Sequence, residues 1–171
     1  MDQPDEGLEG LLQRLTLDST ESISELLADH AKNPGARNGQ RRLATAVTTL
    51  VHGESEELRV RAVAETLFGG PDGRGSDPRA LDAAGLATLA AEIPTAPLPS
   101  SAEATLLDLV IAAGFSTSKS EARRLVEQGG ISVNSEAAGD PVAGASSFTR
   151  LADGSLLLRK GRRDYRMLRA G

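Results

Sequence analysis

Apolar residues recur at helical spacing through the first half of the chain. Leucines at positions i, i+3, i+4 and i+7 predict a short amphipathic helix, and three further helices follow with similar faces. Their expected buried residues are Leu8, Leu11, Leu12 and Leu15; Ile23, Leu26 and Leu27; Leu43, Val47, Leu50 and Val51; and Leu58, Ala62, Leu67 and Phe68. The fourth helix is predicted over residues 55–68, and shorter helical pieces are expected near 78–83 and 85–92. The pattern therefore predicts an all-helical region over residues 8–92, preceded by a flexible acidic start at residues 1–7.

A proline-rich segment separates the two halves of the chain. Residues 93–99 contain three prolines. Proline cannot continue a helix, and closely spaced prolines favour an extended, semi-rigid connection. We therefore predict a linker at residues 93–99 and a domain boundary there.

The second half combines two short helices with alternating, strand-like runs. Ser100 with Glu103, and Ser118 with Glu121, have the spacing of capping boxes, in which the serine oxygen accepts from the glutamate N–H and the glutamate reaches back to the serine N–H. The first helix is expected to bury Leu106, Leu107, Val110 and Ile111, and the second Ala122, Leu125 and Val126. Strands are predicted at 131–134, 148–151, 156–159 and 165–168, with hairpin turns at 153–154 and 160–161. Residues 100–171 are thus predicted to form a small α+β domain with a mostly antiparallel sheet.

Composition excludes several classes of protein. The chain has no cysteine, which rules out disulfides and thiolate metal sites. His30 and His52 have no third metal ligand in view, so core or capping roles are expected for them and no metal or cofactor is predicted. The first residues show no secretory signal, and the apolar stretches are too short to cross a bilayer. A cytoplasmic protein without a membrane partner is the expectation.

The net charge of −5 is distributed unevenly. Residues 1–100 carry 16 acidic and 9 basic side chains, whereas residues 101–171 carry 8 acidic and 10 basic side chains. Phosphate binding responds to the local field rather than to the sum over a chain. The C-terminal third is therefore a candidate nucleic-acid site, although a charged tail that merely keeps a strand soluble remains an alternative.

The candidate chemistry lies in two basic clusters of the second half. One occupies the exposed side of the helix that begins at Ser118, and the other follows a predicted strand. One arginine guanidinium can donate hydrogen bonds to two phosphate oxygens at once, whereas lysine supplies a point charge. A helix N-terminus also attracts anions. The candidate RNA-binding residues are Ser118, Lys119, Ser120, Arg123, Arg124, Gln128, Asn134, Arg159, Lys160, Arg162 and Arg163. For either cluster alone, the alternative to RNA binding is that its charged side chains form an ordinary solvated surface.

Two segments resemble parts of a known family. TSKSEARRLVEQGGISVN, at residues 117–134, resembles the motif of S4-type RNA-binding domains, and NPGARNGQRRLATAVTTLVHG, at residues 33–53, resembles the helical anticodon-binding domain of bacterial tyrosyl-tRNA synthetases. That family places the S4-like domain after the helical one, beyond a proline-containing linker. The first helix departs from the family because it lacks aromatic residues. The chain is similar to the two RNA-binding appendages of the synthetase, without its catalytic domain.

The resemblance implies binding of tRNA, specifically tRNA(Tyr). The helical region would contact the anticodon arm, and the S4-like domain would lie between the stem and the variable arm. It implies Arg37, Gln40, Arg41 and Arg42 as possible anticodon-arm contacts. No catalytic residue or cofactor is implied for this chain, which is expected to be monomeric, and a catalytic synthetase domain is a possible partner in a full-length protein. A free-standing S4-type protein that acts on ribosomal or messenger RNA is the alternative.

Two catalytic-looking motifs do not change this interpretation. Residues 116–120, STSKS, resemble the KMSKS loop of class I synthetases, but that loop precedes an anticodon domain in the family and this one follows it. The segment GGPDGRG at residues 69–75 lacks the G-K-[ST] ending of a phosphate loop. No catalytic site is therefore predicted.

Overall fold

Helices occupy the first half of the chain, and a sheet with two more helices occupies the second. The computed structural model describes residues 5–69 and 76–170. Residues 1–4 of the predicted acidic start and residues 70–75 of the segment GGPDGRG lie outside the described residues. The α-helices are α1 (Leu8–Leu15), α2 (Thr20–Lys32), α3 (Asn38–His52), α4 (Glu54–Phe68), α5 (Ala83–Glu92), α6 (Leu106–Ala112) and α7 (Lys119–Glu127). The strands are β1 (Thr95–Pro97), β2 (Ile131–Val133), β3 (Glu136–Ala137), β4 (Leu156–Lys160) and β5 (Asp164–Arg169). Single 3-10 turns occupy Pro34–Ala36, Pro78–Ala80 and Ala145–Ser147.

The chain divides into two compact units at Arg61 and Ala62, inside α4. Unit 1 covers residues 1–61 and unit 2 covers residues 62–171. This division lies upstream of the segment 93–99 that the prolines indicate as a linker. The domain boundary at 93–99 stays a prediction. In this structure residues 62–92 are grouped with the sheet, because side chains of α4 and α5 pack on it.

Unit 1 packs α1, α2 and α3 around a small apolar core. Leu8, Leu12 and Ile23 are buried there, and Leu26, Leu27 and Leu43 pack partly against them. The helices approach closely at Gly39, because a Cβ at that position would lie 2.5 Å from Leu8 Cδ2. The predicted first three helices are confirmed, and only their innermost residues form the core.

Several residues predicted to be buried in the first four helices are exposed. Leu50 is 73% exposed and Phe68 is 76% exposed, and Leu15, Val51 and Leu58 also face solvent. The inward side of the second half of α4 is formed by Val63 and Leu67. Helical periodicity shows that side chains share a face, but it does not show that another element covers that face. The prediction of burial was therefore wrong at these five positions.

Unit 2 is built on a five-stranded sheet of order β1-β5-β4-β2-β3. All neighbouring strands are antiparallel except β1 and β5, which are parallel, so the predicted mostly antiparallel sheet is confirmed. Alternation along β4 sends Leu156 and Leu158 to the face covered by α6 and α7, and Leu157 to the face covered by α5 and the end of α4. Helices thus cover both faces of the sheet.

The predicted linker contains the edge strand β1. Pro94 O accepts from Met167 N–H at 3.1 Å, and Leu98 N–H donates to Arg169 O at 2.7 Å. Thr95, Ala96 and Pro97 pair with residues of β5 between these two bonds. Proline is tolerated because an edge strand needs hydrogen-bond donors on one side only. The extended conformation was predicted correctly, but its place in the sheet was not.

Residues 148–151 do not form the predicted strand. Leu151 N–H donates to Ser155 O, and Gly154 N–H donates back to Leu151 O, which closes a tight turn before β4. The turn at 153–154 therefore joins no pair of strands. The hairpin at Gly161, which has φ +63°, does connect β4 to β5 as predicted.

Both predicted helix starts in unit 2 differ in detail. The capping box before α6 is formed by Thr105 and Asp108 rather than by Ser100 and Glu103. Ser118 Oγ accepts from Glu121 N–H at 3.2 Å as expected, but the Glu121 carboxylate accepts from Thr117 N–H rather than from Ser118 N–H.

No helix within residues 5–69 and 76–170 has the length and apolar character needed to cross a membrane.

Candidate nucleic-acid interface

The basic helix α7 buries one narrow face and exposes the rest. Ala122 and Val126 are buried against the sheet, and Leu125 is half-buried. The intervening Arg123 and Arg124 are therefore directed to solvent. The helix ends before Gly129, whose φ of +69° favours glycine. Ser118, Ser120 and Gln128 are also exposed near its ends.

The second predicted cluster adjoins the C-terminal end of α7. Gly161 N–H, at the start of the β4–β5 turn, donates to Gly130 O at 2.9 Å. Arg162 and Arg163 are exposed in the same turn. The structure thus brings the arginines of the turn to the side of the sheet where α7 ends.

Strand alternation separates the first two residues of this cluster. Arg159 Nη2 donates to Ser132 Oγ at 3.2 Å, and the Arg159 guanidinium lies 6.0 Å from the Tyr165 ring centre. Lys160 instead lies 5.4 Å from the ring centre of Phe115. Adjacent residues of a strand point to opposite faces, so the side chains of Arg159 and Lys160 lie on opposite faces of the sheet.

Sequence reasoning missed Arg166 as a neighbour of Lys160. The Arg166 guanidinium also lies 5.4 Å from the Phe115 ring centre, on the same face of the sheet as Lys160. Asp164 pairs with Arg166 and lies 3.9 Å from Lys160 Nζ. The signal was available in the hairpin spacing, because pairing across the turn puts residues 160 and 166 on one face.

Four exposed arginines of unit 2 lack carboxylate partners within the described part of the chain. They are Arg123, Arg124, Arg162 and Arg163. Other cations of the unit are paired: Arg79 with Asp77 and Glu136, Arg166 with Asp164, and Arg169 with Asp153. The exposed arginines without a carboxylate partner therefore lie on α7 and in the β4–β5 turn, whereas Arg150 and Arg159, which also lack one among the described residues, are half-buried.

Lys119, at the N-terminal end of α7, is already engaged by a carboxylate. Its Nζ lies 2.9 Å from Asp108 Oδ1. Asp108 Oδ2 accepts from both the backbone N–H and the hydroxyl of Thr105, each at 2.9 Å. The Thr105 N–H bond, followed by the bonds from Lys119 and the Thr105 hydroxyl, lowers the pKa of Asp108 to about 2. Asp108 thus ties α6 to α7 as a carboxylate.

Acid should weaken this tie. The folded-state pKa of Asp108 lies below its ordinary value of 3.8, so the stabilisation is present above about pH 4 and is lost as the pH falls towards 2. We expect Asp108→Asn to remove part of the decrease in unfolding midpoint between pH 6 and pH 2.5. Urea unfolding followed by the fluorescence of Tyr165 measures this, because Tyr165 is the chain's one tyrosine and no tryptophan is present. An identical decrease in wild type and variant would contradict the prediction.

Asn134 is placed in the interior rather than on the surface. It is 4% exposed and adopts φ +48° directly after β2. Its Nδ2 donates to Thr149 O at 2.7 Å, and its Oδ1 accepts from Leu157 N–H at 2.9 Å. The side chain therefore fastens the loop before β4 to β2, and in this structure its polar atoms serve the fold.

The candidate residues of unit 1 lie in different environments at the start of α3. Gln40 is buried, and its Nε2 donates to Asp5 Oδ1, which also lies 3.1 Å from His30 Nε2. Arg41 Nε donates to Ala36 O. Arg37 is half-buried at φ +53°. The structure thus places Gln40 inside the unit and Arg37 and Arg41 near its surface.

Arg42 is paired. Its guanidinium donates to both carboxylate oxygens of Asp18, and these hydrogen bonds lower the pKa of Asp18.

His30 is buried, as a core role predicts, whereas His52 is exposed at the end of α3. Within the described residues, no group of three or more histidine, aspartate or glutamate side chains could hold a metal ion.

Comparison with known proteins identifies the chain's relatives. Residues 85–168 match the family described as the tyrosine–tRNA ligase SYY-like C-terminal domain. The tyrosine–tRNA ligase of Anaeromyxobacter dehalogenans strain 2CP-1 is 39% identical over 167 residues, which is 96% of this chain and 39% of the relative. That of Opitutus terrae is 39% identical over 93% of this chain and 37% of the relative. That of Nocardia farcinica is 37% identical over 90% of this chain and 35% of the relative.

The matched family region begins inside α5 and ends in β5, so it contains the sheet, α6 and α7. The chain spans less than two fifths of the length of these curated relatives, and the family that it matches is a C-terminal one. Residues 85–168 therefore match the family of tyrosine–tRNA ligase SYY-like C-terminal domains, and the chain as a whole is similar to the C-terminal part of that enzyme.

Proposed function

We propose that this chain binds tRNA, with tRNA(Tyr) as its preferred partner, as the RNA-binding part of a tyrosine–tRNA ligase. The observation that carries the proposal is the group of exposed, uncompensated arginines on α7 and in the β4–β5 turn. It occurs in a chain whose net charge is −5, within a domain family named for this enzyme. The local positive charge supplies what a phosphate backbone requires.

The arrangement suits contact with two stretches of backbone. Arg123 and Arg124 are adjacent on α7, so they point in directions about 100° apart around the helix axis. Arg162 and Arg163 extend the same positive region from the turn that is bonded to Gly130. Guanidinium groups bind phosphate oxygens in pairs, so this region can hold a folded RNA by its backbone. Lys119 is expected to contribute less, because its ammonium group must leave Asp108 to reach a phosphate.

For unit 1 we propose contact with the anticodon arm through Arg37 and Arg41. Gln40 is better suited to supporting the start of α3, since its side chain is buried. Arg42 can serve RNA only at the expense of its pairing with Asp18. We assign the aminoacylation chemistry of the ligase to its remaining polypeptide and no catalytic step to this chain.

Binding by the chain to three classes of RNA tests the proposal. A filter-binding titration should use a tRNA(Tyr) transcript, a non-tyrosine tRNA and a ribosomal RNA fragment at several salt concentrations. We expect the tightest binding to tRNA(Tyr) and a linear decrease of log K with log salt. Tighter binding to the ribosomal fragment would instead favour a free-standing regulatory protein, and equal binding to all three would contradict tRNA recognition.

A further inference from the structure

Unit 1 carries an apolar groove between the end of α1 and the middle of α3. Its volume is about 320 Å³, and its apolar lining includes Leu15, Leu17, Ala46 and Leu50. Leu17 is 101% exposed and Leu50 is 73% exposed, so both leucines present most of their surface to solvent. Scattered exposed leucines are ordinary, but several that line one concave surface indicate a binding site.

The polar residues at the edge of the groove limit what it accepts. Arg42 contributes to the lining, but its charge is neutralised by Asp18. Arg14, on the other side, has no carboxylate partner within residues 5–69 and 76–170. A nucleic acid would find little to bind here, because the walls have no aromatic residue for base stacking and one cation is already paired. A protein surface of leucine-like side chains with a carboxylate opposite Arg14 is complementary to the groove.

The energetics of unit 1 also favour a covering partner. Among its described residues, 5–61, the buried apolar core consists of three large residues, Leu8, Leu12 and Ile23. A unit of this size that buries so few side chains is marginally stable. Burying the leucines of the groove against another surface adds apolar contact that the unit cannot provide by itself.

The relatives supply a candidate occupant. This chain aligns with 39% of the Anaeromyxobacter ligase, and its residues 85–168 match a family of C-terminal domains, so we infer that the larger part of that enzyme precedes the matched region. In a ligase that carried this chain as its C-terminal part, the preceding polypeptide would join unit 1 ahead of α1, the helix whose C-terminal end lines the groove. An eight-residue helix is about 12 Å long, so the groove lies within easy reach of that polypeptide.

We propose that this groove is the docking surface for the preceding part of a tyrosine–tRNA ligase, which places leucine-like side chains against Leu17 and Leu50. The occupant is the same whether that part belongs to one polypeptide with this chain or is supplied separately. The inference goes beyond RNA binding and does not depend on it. It assigns to unit 1 the task of fixing the RNA-binding part to the rest of the enzyme.

Footprinting tests this assignment without RNA. The chain alone is compared with a chimera in which it replaces the matching part of the Anaeromyxobacter ligase, using carbene labelling and mass spectrometry. We expect Leu17 and Leu50 to lose most of their labelling in the chimera, whereas Val142 of unit 2, 66% exposed, keeps its labelling. Equal labelling of both leucines in the two proteins would overturn the proposal. Labelling that decreases in the chain alone as its concentration rises would overturn it in favour of a second copy.

A variant provides a second readout. We expect Leu50→Asp to leave the Tm of the chain alone unchanged and to lower the Tm of the chimera, while the matched Val142→Asp changes neither. If the chimera does not fold, the intact Anaeromyxobacter ligase replaces it. The segments aligned with residues 14–17 and 46–50 should then be less labelled than the segment aligned with Val142, and the reverse order would contradict the assignment.

Discussion

Replacing both Arg123 and Arg124 with alanine should weaken tRNA binding by about 100-fold at low salt. Both side chains are exposed on α7 and have no carboxylate partner within the described residues, so each is available to phosphate. A hydrogen bond to a charged group contributes about 1.5 kcal/mol or more, which corresponds to about tenfold in affinity for each arginine. The salt slope of log K should become shallower by about 1.5.

Arg59 and Arg61 provide the matched control for this experiment. They are also two arginines spaced along a helix, but Arg59 pairs with Glu56 and Arg61 lies 3.6 Å from Glu57. The double alanine variant of this pair should change affinity by much less and leave the salt slope nearly unchanged. If the control pair reduced binding as much as Arg123 and Arg124 do, the assignment of RNA contact to α7 would fail. Filter binding at four salt concentrations distinguishes the two results.

Asn134→Ala should destabilise unit 2 by about 3 kcal/mol, because it leaves Leu157 N–H and Thr149 C=O without their buried partner. The backbone adds to this effect, since φ +48° is easier for asparagine than for alanine. The change should appear as a lower urea midpoint in Tyr165 fluorescence, which reports on unit 2 because Tyr165 is buried there. RNA affinity under native conditions should change little.

Asn134→Asp separates the two hydrogen bonds. Aspartate retains an oxygen that accepts from Leu157 N–H but sets a second, charged oxygen against Thr149 O in a buried position, so at pH 7 its stability should be no higher than that of Asn134→Ala. Ser135→Ala, at the next position, is a control with an exposed side chain and a positive φ of its own. A large loss of RNA affinity in Asn134→Asp, with stability unchanged, would show that Asn134 contacts RNA directly.

Local signals in the sequence were sufficient for most of the elements. Leucine spacing predicts α1 and α2 closely, and glycines mark the ends of α3 and α7 where φ is positive. Alternation and the turn at Gly161 predict β4 and β5. These features depend on residues only a few positions apart, which is why sequence patterns contain them.

The missed features depend on contacts between distant residues. The pairing of β1 with β5 joins residues about seventy positions apart, and a proline-rich segment gives no sign of it. Leu50 shares a helical face with Leu43, yet only Leu43 packs on the core, whereas Leu50 lines the open groove beside Leu15 and Leu17. Periodicity describes one element and cannot describe its neighbours.

The candidate interface was predicted in part. Charge counting locates Arg123, Arg124, Arg162 and Arg163, and the bond between Gly161 and Gly130 brings their elements together. Counting could not show that Lys119 is held by Asp108 or that Asn134 is internal. A side chain's partners decide whether its charge or its polar atoms are available, and those partners come from elsewhere in the fold.

The interior position of β5 in the sheet has a consequence for biosynthesis. This strand lies between β1 and β4, yet it is the last of the five to emerge from the ribosome. Until then β1 has no partner, one edge of β4 is unpaired, and Leu157 and the apolar face of α5 lack their contacts with Tyr165 and Met167. Helices α1, α2 and α3 pack on one another without the sheet, and local helical contacts form quickly. Nascent chains that stall before Asp164 should therefore hold a folded helical unit followed by an unfinished sheet, the species most open to chaperones and proteases.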